Sequence, residues 1–291
     1  MSDLVVRPGL LDIKGGETRR RQPPLEPLTA GFPLAPDGIN WLGMWTLYCK
    51  EVRRFLAVSV QTLIGPLVTT LLYLTVFTVA LGRGTSMIEG LPYMVFLAPG
   101  LTMMSMVQNA FANSSSSIVG AKSQGNLVDI LLAPLTAWEL TIGYAMGGVT
   151  RGIMVGVVVG LAMWPFVDWH VAYPGFVLAF AVIACLMMAL IGVIGGVWAQ
   201  KHDQITTVTH FVVTPAAFLS GSFYTIDRLP GIWHGIAMLN PFFYMIDGFR
   251  YGFIGHADAN PWLGLAVISV ASAALGCVAY RMFLTGYRLK P

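Results

Sequence analysis

Charged residues are scarce in this sequence. Only 11% of the 291 residues are Asp, Glu, Lys or Arg, whereas 56% are hydrophobic. A soluble domain carries about 25% charged residues, and the mean hydropathy of +0.70 points the same way. The composition therefore excludes an ordinary soluble domain and predicts an integral membrane protein.

Cysteine is also scarce, and the three cysteines, Cys49, Cys185 and Cys277, lie far apart in the sequence. Their spacing predicts neither a metal-binding knuckle nor a disulfide framework. The five histidines are scattered without an H-E-x-x-H spacing, and the chain has no G-x-x-x-x-G-K-[ST] phosphate loop. We therefore expect no catalytic residue, no bound metal and no cofactor on this chain.

The N-terminal segment lacks the apolar run of a signal peptide. It contains several basic residues, and six prolines lie between Pro8 and Pro36. This composition is typical of disordered chain. We expect a disordered cytoplasmic tail over residues 1–39 and a membrane domain over residues 40–291.

Long apolar runs dominate the rest of the chain. A hydrocarbon core about 30 Å thick needs about 20 apolar residues in a helix. Six stretches meet this requirement, at approximately 60–81, 92–118, 140–166, 172–198, 205–223 and 262–284. The sequence therefore predicts an all-α integral membrane protein with six transmembrane helices.

The positions of Lys and Arg predict how these spans are oriented. With the N-terminus inside, thirteen of the 17 basic residues fall in cytoplasmic segments and three in outer segments, and Arg151 lies within the third span. Basic residues are enriched in cytoplasmic loops. We therefore expect the N-terminus inside and, with an even number of spans, the C-terminus inside as well.

An amphipathic segment, residues 40–56, precedes the first span. Its aromatic and aliphatic residues recur every three or four positions, and Lys50, Glu51, Arg53 and Arg54 cluster near its end. This pattern predicts a helix lying in the cytoplasmic membrane interface. The alternative is that the segment begins a longer first span.

A short apolar segment lies between the second and third spans, within residues 120–139. Leu127, Ile130 and Leu131 would form one face of a short helix that ends near Pro134. An apolar helix exposed to the cytoplasm needs a partner surface or the headgroup layer. The segment is either a docking helix for a soluble subunit or an interfacial loop helix.

A second short helix is predicted between the fifth and sixth spans, within residues 224–255. Asn240 followed by Pro241 is a strong helix start, and a helix of about fourteen residues is too short to span the membrane. We expect a re-entrant segment at the outer face, either a gate or a static plug or dimer contact. Its candidate residues are Asn240, Pro241, Tyr244, Asp247 and Arg250.

Polar residues inside the spans suggest a translocation route. Gln108, Asn109 and Asn113 lie in the second span, and Arg151 lies in the third. Hydrogen bonding between helices is the alternative use of such residues. No acidic residue falls in the apolar middle of a span, which disfavours ion-coupled transport and favours an energy source outside the chain.

Glycines recur every four residues in the third span, at Gly148, Gly152, Gly156 and Gly160. The spacing places them on one side of a helix, where another backbone can approach closely. We expect this ridge to be a packing surface.

Four stretches together resemble the permease subunits of type-2 ABC exporters, a group that includes bacterial drug, nodulation-factor and polysaccharide export permeases. They are KEVRR at 50–54, YMVFLAPGL at 93–101, GNLVDILLAPL at 125–135 and LNPFFYMIDGFR at 239–250. The resemblance covers about residues 41–284.

The resemblance implies two permease chains, each bound to a cytoplasmic ABC ATPase that carries ATP and Mg²⁺. It implies an amphipathic or lipid-linked substrate, or a drug, crossing the bacterial inner membrane, and it implies membrane lipid but no nucleic acid as a partner. Residues 41–55 would match the connecting helix, and residues 230–254 the re-entrant helices. The coupling helix that inserts into the ATPase would comprise Gly125, Asn126, Leu127, Asp129, Ile130, Leu131 and Pro134.

Two other functions are compatible with the sequence. An ion-coupled secondary transporter or a channel would work without an ATPase. A membrane enzyme, or a scaffold for one, would need a polar cluster, for which the region around His234, Asp247, Arg250 and His256 is the candidate.

Overall fold

The computed structural model describes residues 38–81, 87–88, 90–224 and 231–289. The predicted tail, residues 1–39, lies outside these ranges except for its last two residues. The structure therefore begins just before the amphipathic segment.

The described residues are almost entirely helical. Two five-residue π-helices, Val60–Ile64 and Thr209–Val213, lie among the α-helices. The two short strands β1 (Met87–Ile88) and β2 (Leu91–Pro92) pair antiparallel. The α-helices are α1 (Trp41–Ala57), α2 (Gly65–Leu81), α3 (Tyr93–Ser123), α4 (Leu127–Leu132), α5 (Ala137–Met163), α6 (Pro174–Trp198), α7 (His202–Val208), α8 (Thr214–Phe218), α9 (Ile232–Leu239), α10 (Pro241–Ile254) and α11 (Pro261–Thr285).

Five helices are long and apolar enough to cross a membrane: the helix through Val60–Ala80, α3, α5, α6 and α11. They confirm the all-α membrane fold and match the first four and the sixth predicted spans. The predicted fifth span instead consists of α7, a π-helix and α8, of seven, five and five residues. The count of six spans and the orientation of the two termini stay predictions.

Capping residues set several helix boundaries. Thr136 and Glu139 form a reciprocal capping box at the start of α5. Asn240 caps α10, Pro241 occupies its first turn, and Gly255 ends it with a φ of +80°, a left-handed conformation that favours glycine. The predicted start of α10 is therefore confirmed.

The longest helix, α3, lies at the centre of the fold and packs against α2, α5, α6 and α10. Glycines on α5 and α6 allow this close packing. A Cβ atom on Gly152 would lie 2.7 Å from the Cys185 sulfur, and one on Gly192 would lie 2.5 Å from the Phe111 carbonyl oxygen. At Gly160 nothing lies within 4 Å, so the predicted ridge does not extend to its last glycine.

Replacing Gly192 with alanine should destabilise the fold, because the backbone oxygen of Phe111 on α3 cannot move away as a side chain would. Overpacking of this kind costs about 1–3 kcal/mol. Gly160→Ala is the matched control and should melt like the native chain. Thermal melting in detergent, followed by size-exclusion chromatography, measures both variants. Equal melting temperatures for the two variants would contradict the close packing of α6 on α3.

Candidate functional site: a cytoplasmic groove and a buried polar network

The amphipathic helix α1 packs along the first half of α5. Leu47, Glu51 and Phe55 are buried and lie four residues apart, on one face of α1. Leu47 contacts α5 at Gly143 and Glu51 contacts it at Gly147, so closely that neither glycine could carry a Cβ without displacing the α1 side chain. The glycines of α5 therefore determine how near α1 can come.

The opposite face of α1 is exposed and aromatic. Trp41, Leu42 and Trp45 are all more than half exposed, and Lys50 and Arg53 are exposed as well. Aromatic rings beside basic side chains suit the headgroup layer of a bilayer. The position of this face in the membrane interface stays a prediction.

Glu51 lies at the centre of a buried polar network that joins α1 to α3. Its side chain is 0% exposed. One carboxylate oxygen accepts a hydrogen bond from the Ser117 hydroxyl at 2.7 Å, and the other accepts from Arg54 at 3.3 Å. The Arg54 guanidinium also donates to the backbone and side-chain oxygens of Asn113, at 2.8 and 2.9 Å. The charge of Glu51 is thus compensated inside the protein.

Of the four charged residues that cluster in the amphipathic segment, Lys50 and Arg53 are exposed, Arg54 is half-buried and Glu51 is buried. Glu51 shares its helix face with Leu47 and therefore points into the bundle.

The absence of acidic residues from the middle of the predicted spans does not mean that all acidic residues are exposed. Glu51 and Asp247, which lie outside the spans, and Glu139, in the first turn of α5, are all buried.

The predicted coupling segment folds as expected in outline. After α3 ends at Ser123, the chain turns at Gly125, whose φ of +75° is left-handed. Asn126 precedes α4, and α5 begins shortly after Pro134. The segment is therefore a short helix held between two long apolar helices.

Leu127, Ile130 and Leu131 form one face of α4, and this face packs against the bundle. Leu127 is buried, and Ile130 and Leu131 pack half-buried against the core. The exposed apolar residues are Val128 and Leu132, at 47% and 62% exposure. Leu127, Ile130 and Leu131 thus hold the helix in place, because they face the bundle. Asp129 is exposed beside Val128 and Leu132.

A groove of about 920 Å³ separates α1 from the α4 segment. We call it the cytoplasmic groove, following the predicted orientation. It has an apolar part formed by Leu42, Leu47, Ile130 and Leu135, and polar side chains at Lys50, Arg54, Asp129 and His202. The predicted interfacial helix and the predicted coupling segment therefore form a single surface.

Asn40 joins the two sides of this surface. Its side-chain amide donates to the carbonyl oxygen of Pro134 at 3.0 Å, and its backbone N–H donates to the Glu139 carboxylate. Its side-chain oxygen accepts from the backbone N–H of Gly43 and caps α1. Sequence reasoning missed this connection, because a helix-capping asparagine carries no signal for a contact 94 residues away.

The four candidate route residues fall into two groups. Arg151 donates to the side-chain oxygen of Asn109 at 3.1 Å, and Gln108 and Asn109 line a cavity between α2 and α3. Asn113 instead belongs to the network of Arg54. The partner that the structure shows for Arg151 is therefore an amide on the neighbouring helix α3.

The predicted outer segment forms a buried polar cluster around α10. Asp247 is 3% exposed and accepts the backbone N–H groups of Asp258 and Ala259, at 2.9 and 3.0 Å. Burial raises the pKa of the Asp247 carboxyl to about 6, and the charge of Arg250 and the two N–H groups oppose this shift. Asp247 thus ties α10 to the loop before α11.

Arg250 ties the same helix to the segment after α8. It donates to the carbonyl oxygen of Gly221 at 2.6 Å, and its guanidinium lies 3.8 Å from the centroid of the Phe96 ring. The side-chain amide of Asn240 donates to the Ala216 carbonyl oxygen at 2.7 Å, and Tyr244 packs beside Phe243. The outer cluster therefore connects α3, α8 and α10.

The chain matches the ABC-2 type transporter family over residues 43–254, from the first turn of α1 to the end of α10. It is 38% identical over 252 residues to the inner membrane transport permease YadH of Escherichia coli K12, across 87% of this chain and 98% of the relative. It is 26% identical over 243 residues to nodulation protein J of Rhizobium leguminosarum bv. viciae, across 81% of this chain and 91% of the relative. The resemblance drawn from the four sequence stretches is confirmed. The chain belongs to the ABC-2 type transporter family.

Proposed function

We propose that this chain is the membrane permease subunit of an ATP-binding cassette exporter in the bacterial inner membrane. A separate cytoplasmic ATPase, which binds ATP and Mg²⁺, drives it. The substrate is amphipathic or lipid-linked, or is a drug. The observation that carries the proposal is the exposed apolar surface of α4 beside the cytoplasmic groove.

This surface needs protein cover. Val128 and Leu132 are exposed apolar residues four positions apart on one short helix, and the groove beside them opens between α1 and α4. Exposed apolar patches with polar rims mark interaction sites. A helix-sized surface of a soluble ATPase would cover α4 and fill the groove.

A second copy of the chain is the partner that we propose for α2. This helix exposes apolar residues at nearly every fourth position, and few of its residues are buried. Two copies would place their α2 helices on either side of a shared substrate route.

The buried carboxylate of Glu51 raises the alternative of ion coupling, since buried acids are typical of ion-coupled carriers. Its two oxygens already accept hydrogen bonds from Ser117 and Arg54. The network therefore favours a structural role for Glu51 over proton transfer.

Charge on α4 should separate the permease from its ATPase. In Leu132→Glu a carboxylate would be buried in the apolar contact, and loss of an interface contact of this kind costs at least about 2 kcal/mol. We expect recovery of the complex to fall by at least about tenfold. The assay is co-purification with a co-expressed candidate ABC ATPase.

Leu284→Glu is the matched control, because Leu284 near the end of α11 is also 62% exposed but does not belong to α4. It should co-purify with the ATPase like the native chain. Normal assembly of Leu132→Glu, or equal loss in both variants, would refute docking on α4.

A further inference from the structure

A polar cavity of about 240 Å³ lies between α2 and α3. Most of its lining comes from hydroxyl and amide side chains on the two helices. They are Thr69, Thr70, Tyr73, Ser105, Gln108 and Asn109.

The cavity lies at the depth of the hydrocarbon layer. Both helices that form it are long and apolar enough to span, and Gln108 is the middle residue of α3 (Tyr93–Ser123). Hydrocarbon offers no hydrogen bonds, so exposed donors and acceptors at this depth carry a large desolvation cost. The cavity must therefore hold water or a polar group of a ligand.

Several of the lining groups are available for such a ligand. Ser105 is 7% exposed, and within the described part of the chain its hydroxyl has no hydrogen-bond partner. The same holds for the Gln108 amide and the Tyr73 hydroxyl. Asn109 is already engaged, because it accepts from Arg151 and donates to the Ser105 carbonyl oxygen. Free donors and free acceptors thus face the same space.

The uncharged lining of the cavity and the nearby Arg151 favour an uncharged polar ligand over an anion or a cation. None of the lining residues is charged, so an anion would lose its hydration without meeting a cation directly. Arg151 lies behind Asn109, at 3.1 Å from its side-chain oxygen, and would repel a cationic ligand. An uncharged group with several hydroxyls can satisfy the free donors and acceptors at the lowest cost.

We propose that this cavity binds the uncharged, hydroxyl-bearing head group, such as a sugar ring, of an amphipathic substrate. The inference rests on the proposed transport function. The volume equals that of about eight waters in the liquid, enough for a single ring. An apolar tail would lie along α2, where Val68 and Leu72 are exposed.

Photolabelling of the full-length chain in lipid nanodiscs tests the assignment. The probes are an alkyl glucoside, an alkyl phosphate and an alkyl trimethylammonium, all with the same diazirine-bearing chain. We expect the glucoside to label peptides 66–73 and 101–109 about tenfold more than either charged probe, because a site built to hydrogen-bond hydroxyls rejects groups that cannot replace them.

Variants locate the binding groups. Ser105→Ala combined with Gln108→Leu removes two free hydrogen-bonding groups and should lower glucoside labelling about tenfold. Thr69→Val, inside the cavity, should lower it less, and Thr75→Val should leave it unchanged. Thr69 and Thr75 are both exposed on α2 and each donates to the carbonyl oxygen four residues earlier, so they form a matched pair.

Equal labelling by the three head groups, or labelling unaffected by the double variant, would overturn the proposal. Stronger labelling by the phosphate would overturn it as well, in favour of an anionic substrate. Normal ATPase assembly together with failed labelling would reject this site alone. Selective labelling without any ATPase complex would reject the exporter and keep the site.

Discussion

Glu51→Ala is expected to destabilise the protein strongly. The substitution removes the acceptor for Ser117 and for Arg54, and it leaves the guanidinium without its counter-ion. Breaking a buried ion pair by removing one partner costs about 3–5 kcal/mol. We expect the lower end of this range, because 34% of the Arg54 side chain is exposed and can gain water. Thermal melting of the purified chain in detergent measures the loss.

Two controls separate the network from a general effect of losing an acid. Asp129→Ala removes an exposed carboxylate from α4 and should change the melting temperature little. In the double variant Glu51→Leu with Arg54→Leu, both charges are absent, and stability should return in part. If Glu51→Ala melted like Asp129→Ala, the buried network would contribute no stability.

Arg250→Met is the second substitution with a large expected effect. It keeps an unbranched apolar side chain in place of the Arg250 stem but removes the hydrogen bond to Gly221 and the contact of the cation with the Phe96 ring. Charge-assisted hydrogen bonds contribute about 1.5–3 kcal/mol, and buried cation–π contacts add to this. We expect a loss of about 3 kcal/mol in the free energy of unfolding, measured by the same melting assay.

We also expect the Arg250→Met substitution to loosen the structure locally, near Gly221. Because Arg250 binds the segment that follows α8, limited proteolysis should cut near Gly221 in Arg250→Met at a temperature where the native chain resists. Arg53→Met, at an exposed position on α1, should show neither change. Cutting at an unchanged rate in Arg250→Met would show that other contacts hold this segment.

The long apolar helices could be predicted from the sequence because length and hydropathy alone decide whether a helix spans. The start of α10 could be predicted for a local reason, since Asn240 and Pro241 act within one turn. Length and hydropathy did not predict the extent of the fifth span correctly, because the helix found there is shorter than predicted. The apolar run continues to residue 223, but hydropathy does not reveal that α8 ends at Phe218.

The candidate site could be predicted only in part, because its contacts are distant in sequence. Val128 and Leu132 are as apolar as Leu127 and Ile130, so periodicity alone could not tell which pair faces the bundle. In the sequence of α1, Glu51 lies among Lys50, Arg53 and Arg54 and would be interpreted as an exposed charge. Its partner Ser117 lies 66 positions away, and Gly147 makes room for it from a third helix.

The attachment of Asn40 to Pro134 and Glu139 has a mechanical consequence. Together with the packing of Leu47 on α5, it connects α1 with the α4 segment, so we expect the two to move as one unit. The hydrogen bond from Ser117 to Glu51 connects this unit to α3. If a bound ATPase displaced the α4 segment, α1 would therefore move with it, because these contacts oppose rotation between the two. We expect deformation to concentrate instead between α1 and α2, in the π-helix Val60–Ile64, because helices bend readily where π-helical hydrogen bonding interrupts the α-helical pattern.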